Sequence, residues 1–231
     1  MSVKVKICGL MQPEDTLAAL EADADFVGVV FAESKRRQTV ESARKVLAPI
    51  EKRGGLPFWL TVTEGYPPQE WYFQAAQRLE HTLQGKRPLV VGVFQDQTPE
   101  EINRIAEEVE LDMVQIGGED PWEMTSDLHT HTIKTVRGGS ASFGEVRIGP
   151  YLCLLDSQDS GRGQTFPWDR ATRLALQMPL MLAGGLNADN VREAIQKVRP
   201  WAVDVSSGVE REGRKDPQLI KEFVRRVREA A

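Results

Sequence analysis

Cysteine is nearly absent: Cys8 and Cys153 are the only two in 231 residues. That argues against a disulfide framework and for a reducing cytosol. Histidine is almost as scarce. His81, His129 and His131 stand without paired cysteines or an HExxH helix, so no metal site is expected. No apolar run approaches the roughly 18 to 20 residues of a membrane span. The start, Met1-Ser2-Val3-Lys4-Val5-Lys6, enters a strand-like pattern at once and lacks the apolar core of a signal peptide. A basic excess is missing too. Lys and Arg number 29 against 34 Asp and Glu, which speaks against a nucleic-acid partner. What remains is ordinary for a globular protein, with 41% hydrophobic and 27% charged residues. The length fits one large domain or two small ones.

Short apolar runs alternate with amphipathic stretches. The expected strands are Val3–Cys8, Phe26–Phe31, Leu89–Phe94, Leu111–Ile116, Ile133–Arg137, Tyr151–Asp156, Leu180–Ala183 and Ala202–Ser206. Their Val, Ile, Leu and Phe content suits strands buried on both faces. Helices are expected to open at Pro13-Glu14-Asp15-Thr16, at Thr98-Pro99-Glu100-Glu101, at Asn187-Ala188-Asp189-Asn190 and at Lys215-Asp216-Pro217. Eight strand-helix repeats of this size predict a parallel sheet closed into a (β/α)8 barrel over residues 1–231. Two regions break the rhythm. Residues 51–88 are too long for one connection and read as a surface insertion after the second helix. It holds a possible strand at Phe58–Val62 and a helical stretch at Trp71–Leu83, with Trp71, Phe73 and Leu79 to dock it. The fifth connection, Gly138–Pro150, is Gly/Ser-rich and reads as lacking a helix.

In such barrels the chemistry gathers at the C-terminal strand ends. Three of those ends run into small residues: Ser160-Gly161-Arg162-Gly163, Ala183-Gly184-Gly185 and Ser206-Ser207-Gly208. Together they suggest backbone amides closing on a phosphate. Any one alone reads more readily as a tight turn, and Arg162 is either an added cation or a solvated side chain. Alternation puts Lys4, Lys6 and Cys8 on one strand face, with Val3, Val5 and Ile7 on the other. Cys8 then points into the barrel mouth, where Lys6 would lower its pKa. Asp156 ends an apolar strand, where an unpaired carboxylate is costly. The two are the candidate acid-base pair. The bland alternatives are a buried structural cysteine and a capping aspartate. Cys153 faces the helices and reads as inert core.

At these residues the chain closely resembles the phosphoribosylanthranilate isomerase family. The shared blocks include Lys6-Ile7-Cys8-Gly9-Leu10, Gly28-Val29-Val30-Phe31 with Ser34-Lys35-Arg36, Val114-Gln115-Ile116 and Leu154-Leu155-Asp156-Ser157. They continue through Gly161-Arg162-Gly163, Ala183-Gly184-Gly185-Leu186 and Asp204-Val205-Ser206-Ser207-Gly208-Val209-Glu210. The resemblance implies Cys8 as general base and Asp156 as general acid. It implies Arg36, Gln115 and Asp204 as substrate ligands, and Gly161, Gly163, Gly184, Gly185, Ser207 and Gly208 around the phosphate. It also implies an Amadori rearrangement without cofactor or metal on a small phosphorylated substrate, in the cytoplasm. The insertion is similar to that of fungal versions, where this domain often ends a multifunctional chain. Three positions depart from the family pattern. Gly117 stands where a histidine is usual, Arg162 where a small residue is common, and Pro167 where an aspartate is usual. A catalytically impaired phosphate-binding barrel is the rival reading. The related indoleglycerol-phosphate synthase activity fits less well, since it needs a lysine-centred site.

Overall fold

A computed structural model describes residues 2–50, 67–85, 88–117, 120–137, 151–156 and 168–230. Eight parallel strands close into a barrel in sequence order, with β8 returning to β1. They are β1 (Lys4–Cys8), β2 (Phe26–Val30), β3 (Leu89–Phe94), β4 (Met113–Ile116), β5 (His131–Arg137), β6 (Leu152–Asp156), β7 (Leu180–Leu182) and β8 (Ala202–Val205). The helices are α1 (Pro13–Glu21), α2 (Val40–Leu47), α3 (Pro68–Gly85), α4 (Pro99–Val109), α5 (Trp168–Ala175), α6 (Val191–Val198) and α7 (Pro217–Ala230). A short hairpin, β9 (Glu210–Arg211) and β10 (Arg214–Lys215), lies between β8 and α7.

Local chemistry sets these boundaries. Thr98 accepts from the Glu101 amide at 3.3 Å, and Pro99 takes the first helical position of α4. Asp216 caps α7 by accepting from the amides of Gln218 and Leu219 at 2.8 and 3.2 Å. Two buried aspartates repeat one device at the strand starts. Asp25 accepts from the Val5 amide, and Asp112 from the Val90 amide, each at 2.8 Å. Asp25 also holds Arg228 of α7 at 2.9 Å. The same guanidinium donates to the carbonyls of Val3 and Asp23 at 2.7 and 3.0 Å. The last helix is thereby bolted to the first strand.

The segment read as a surface insertion contributes a structural helix. Along α3, Trp71, Tyr72, Ala75, Ala76, Leu79 and Leu83 are buried, a stripe at helical spacing. Trp71 packs edge-on against Tyr151, and Tyr72 takes the Cys153 thiol at 3.4 Å on the outside of β6. Farther along, Glu80 meets Lys4 at 4.0 Å and accepts from the Trp201 indole at 3.2 Å. So α3 runs along the N-terminal rim of the barrel from β6 towards β1 and β8. Phe73 does not dock it as expected. It is 50% exposed, because the neighbouring Tyr72 occupies the inward position. Cys153 lies on the outer face, with burial pushing its thiol up to about 12. The expected strand at Phe58–Val62 and the connection Gly138–Pro150 lie outside the described residues.

Candidate active site

The barrel interior carries a polar layer just below its C-terminal mouth. Lys6 and Asp204 are register partners on adjacent strands, and their side chains meet at 2.9 Å. The Lys6 ammonium also donates to Gln115 Oε1 across the barrel at 2.9 Å. Gln115 in turn donates to Thr135 Oγ1 at 3.2 Å, so both ends of its amide are engaged. Burial alone would lower the Lys6 pKa. Asp204 and Cys8 together outweigh it and raise the ammonium to about 12. Lys6 is therefore a fixed positive charge in the barrel axis.

Cys8 sits one inward position above Lys6 and is 8% exposed. Its seat is cut into β2. Gly28 is the register partner of Cys8, and a Cβ there would lie 2.9 Å from Sγ. The charges around the thiol pull in opposite directions. Burial pushes the Cys8 pKa up, Lys6 pulls it down, Asp204 pushes it up and Lys215 pulls it down. The net direction is upward. The expected lowering by Lys6 is present but smaller than the desolvation of a thiolate inside the barrel.

Arg36 comes from the loop after β2 and lies against Gly9, where a Cβ would approach its Cδ to 2.6 Å. Its guanidinium is held by Glu210 in a two-point pair, Nε to Oε1 at 2.7 Å and Nη2 to Oε2 at 2.9 Å. Lys215 donates to the same Glu210 Oε1 at 2.8 Å. Burial opposes the Glu210 charge, but hydrogen bonds from Arg36 and Lys215 bring its pKa down to about 2. Glu210 and Lys215 were not among the site residues expected from sequence. Nothing in the local sequence marks Glu210 as a site residue, and Lys215 reads as a helix start.

The loops after β7 and β8 interlock. A Cβ on Gly208 would fall 1.8 Å from the Leu186 carbonyl oxygen, so the two backbones touch only because residue 208 is glycine. Gly184 and Gly185 take positive φ of 95° and 66°. Asn190 ties the turn by donating to the Gly185 carbonyl and accepting from the Asn187 amide, both at 2.9 Å. Ser207 and Gly208 thus face the same rim as Gly184 and Gly185. Asp156 ends β6, half-buried, with β7 alongside it. Gly117 follows β4, and a Cβ there would meet nothing closer than the Phe94 carbonyl at 3.4 Å, so the backbone does not demand glycine. Gly161, Arg162, Gly163 and Pro167 lie outside the described residues. Among the described residues, no group of three or more His, Cys, Asp or Glu is arranged to hold a metal ion, and no helix is long and apolar enough to cross a membrane.

Comparison with known proteins matches this geometry to one family. The family model for N-(5'phosphoribosyl)anthranilate (PRA) isomerase aligns with residues 66–226. The N-(5'-phosphoribosyl)anthranilate isomerase of Dehalococcoides mccartyi is 35% identical, over 99% of this chain and 97% of that protein. A multifunctional tryptophan biosynthesis protein of Phycomyces blakesleeanus is 37% identical over 98% of this chain, which spans 33% of its length. The fungal character expected from the insertion is therefore not singled out, since a bacterial single-function protein matches end to end. A solved phosphoribosyl anthranilate isomerase in complex with reduced 1-(o-carboxyphenylamino)-1-deoxyribulose 5-phosphate superposes with a TM-score of 0.72, at 33% identity, over 97% of this chain and 98% of that one. With the closed barrel and near-complete coverage in agreement, the chain belongs to the N-(5'-phosphoribosyl)anthranilate isomerase family.

Proposed function

We propose that Cys8 and Asp156 divide the proton transfers by which this chain isomerises N-(5'-phosphoribosyl)anthranilate to 1-(2-carboxyphenylamino)-1-deoxyribulose 5-phosphate, a step of tryptophan biosynthesis. The observation that carries the assignment is the seat of Cys8: a thiol on the inner face of β1, at the catalytic rim, beside the ammonium of Lys6. Asp156 protonates the furanose ring oxygen, and the ring opens to a Schiff base. The Cys8 thiolate removes the proton from C2', and the enolamine tautomerises to the ketose. This is acid-base chemistry with no covalent intermediate. Because burial raises the thiol, the anion depends on the nearby positive charges and grows with pH.

Arg36 has five N–H donors, of which Glu210 takes two, leaving donors to bind the anthranilate carboxylate. Asp204 and Gln115 border the substrate from below while holding Lys6. Gly184, Gly185, Ser207 and Gly208 close on the phosphate, supported by the interlocking of the β7 and β8 loops, and Gly161 and Gly163 are assigned to it by the family resemblance alone. Residues 1–231 act as one domain, with 51–88 as its insertion, in the cytoplasm. The Phycomyces relative makes membership of a longer multifunctional chain a further reading. The test is conversion of phosphoribosylanthranilate by purified protein, with growth of a tryptophan auxotroph lacking the isomerase. A well-expressed protein that does neither would instead support an impaired phosphate-binding barrel.

A further inference from the structure

One buried ammonium has no part in those proton transfers. The side chain of Lys215 is 0% exposed. It sits on a two-residue hairpin whose turn, Glu212-Gly213, has φ of 53° and 78°. That tight turn makes Lys215 the cross-strand partner of Glu210. The hairpin has little freedom. The Asp216 amide donates to the Val209 carbonyl at 2.9 Å, and the Asp216 side chain caps α7. From this fixed base Lys215 reaches Glu210 Oε1 at 2.8 Å and the Ser206 carbonyl, at the end of β8, at 2.9 Å. Glu210 spends its two oxygens on Arg36. The chain of contacts runs from α7 through Lys215 and Glu210 to Arg36, which crosses Gly9 immediately after Cys8.

We propose that Lys215 is a positioning residue of the isomerase: it fixes Arg36 through Glu210 and supplies a second positive charge to the Cys8 end of β1. Without Lys215, Glu210 and Arg36 would remain a neutral pair, with Glu210 less firmly held and one positive charge lost near the thiol. Among the described residues, Lys6 from β1, Asp204 from β8, Arg36 from the β2 loop and Lys215 from the hairpin bear on Cys8, with Glu210 holding the last two. Lys215 favours the thiolate, and Cys8 in turn helps keep Lys215 charged against its burial. The proposal rests on Cys8 as base and Arg36 as carboxylate ligand.

The test uses Lys215→Met, Lys215→Arg and Glu210→Gln in the full chain. Alkylation of Cys8 by iodoacetamide, located by mass spectrometry, reports thiolate without requiring catalysis. Cys153, 1% exposed against 8% for Cys8, is the internal control. A nearby charge shifts a pKa by about one unit or more, so Lys215→Met should slow Cys8 alkylation about tenfold at pH 8. KM should rise about fivefold or more as Arg36 loosens, and Lys215→Arg should restore most of both. Glu210→Gln should split the two readouts, with faster alkylation because Lys215 and Arg36 are left unneutralised, but a higher KM. Wild-type alkylation and KM in Lys215→Met, with only a lower melting temperature, would overturn the proposal. If that variant does not fold, Glu210→Gln decides: unchanged or slower alkylation, or an unchanged KM, overturns it. Should Cys8 prove dispensable for turnover, the assigned mechanism fails while the alkylation result still judges Lys215.

Discussion

Gly28→Ala tests whether catalysis depends on where β1 holds its thiol. The new Cβ would lie 2.9 Å from Cys8 Sγ, 3.2 Å from Cys8 Cα and 3.4 Å from Lys6 Cε. Ordinary non-bonded contact is about 3.5–4.0 Å, so Sγ must move by about 0.6–1 Å, and it can, being the tip of a side chain. A misplacement of about 1 Å at a reacting group costs on the order of 10²-fold. The expected result is a fall in kcat of about 10- to 100-fold, which corresponds to roughly 1.4–2.7 kcal/mol of barrier. Stability should change little. Alanine in place of a strand glycine gains about 0.5–1 kcal/mol, which offsets part of the strain against the Cys8 backbone. Steady-state kinetics and a melting curve on the same preparation separate the two effects. A kcat within twofold of wild type would show that the Sγ position is not what the reaction needs. A collapse in melting temperature would show instead that Gly28 serves packing.

Four further outcomes follow from the site and its frame. Cys8→Ser and Asp156→Asn should each lower kcat by on the order of 10²-fold, with KM within about tenfold; near-normal kcat in either removes that residue from the mechanism. Gly208→Ala places a Cβ 1.8 Å from the Leu186 carbonyl oxygen and should part the β7 and β8 loops, so inorganic phosphate should cease to compete with substrate; undiminished inhibition would move the phosphate elsewhere. Glu210 falls from 4.5 to about 2 on folding, so its contribution to stability is present above pH 4.5 and is lost as the pH drops towards 2. The difference in urea midpoint between wild type and Glu210→Gln should shrink over that window, and a gap that widens on acidification would contradict the sign. Arg228→Met removes the guanidinium 2.9 Å from the buried Asp25 carboxylate and should cost about 3 kcal/mol in urea unfolding, with kcat unchanged.

The strands were legible because each is buried on both faces and so reads as a short apolar run. All eight fall within two residues of the expected bounds, as the starts of β1 and β4 illustrate. Inward Lys6 and Cys8 followed from alternation alone. The path of α3 was not legible, because it depends on which surfaces at the N-terminal rim are left uncovered by other helices. Choosing Phe73 over Tyr72 needed the helix's rotation against β6, which spacing between two aromatics does not give. Nor does local pattern announce a partner 174 residues away, as Glu210 is for Arg36. The thiol's direction of shift was missed for a different reason. Its sign is a difference between desolvation and several neighbouring charges, and only the burial of the finished barrel sets the first of these.

Closure through β1 and β8 has a consequence for the order of assembly during synthesis. β1 leaves the ribosome first and can pair with β2 early, yet its other edge stays open until Ala202–Val205 has been made. Its start waits longer still, for Arg228 to reach the Val3 carbonyl and Asp25. Cys8 therefore stands in a half-built wall until β8 has been made, and the Lys6–Asp204 bond that fixes the floor beneath it forms only when the barrel's final strand arrives. A nascent chain of this protein has nearly all its apolar strands and no completed active site, so the step that seals the core against aggregation is also the step that switches the catalyst on.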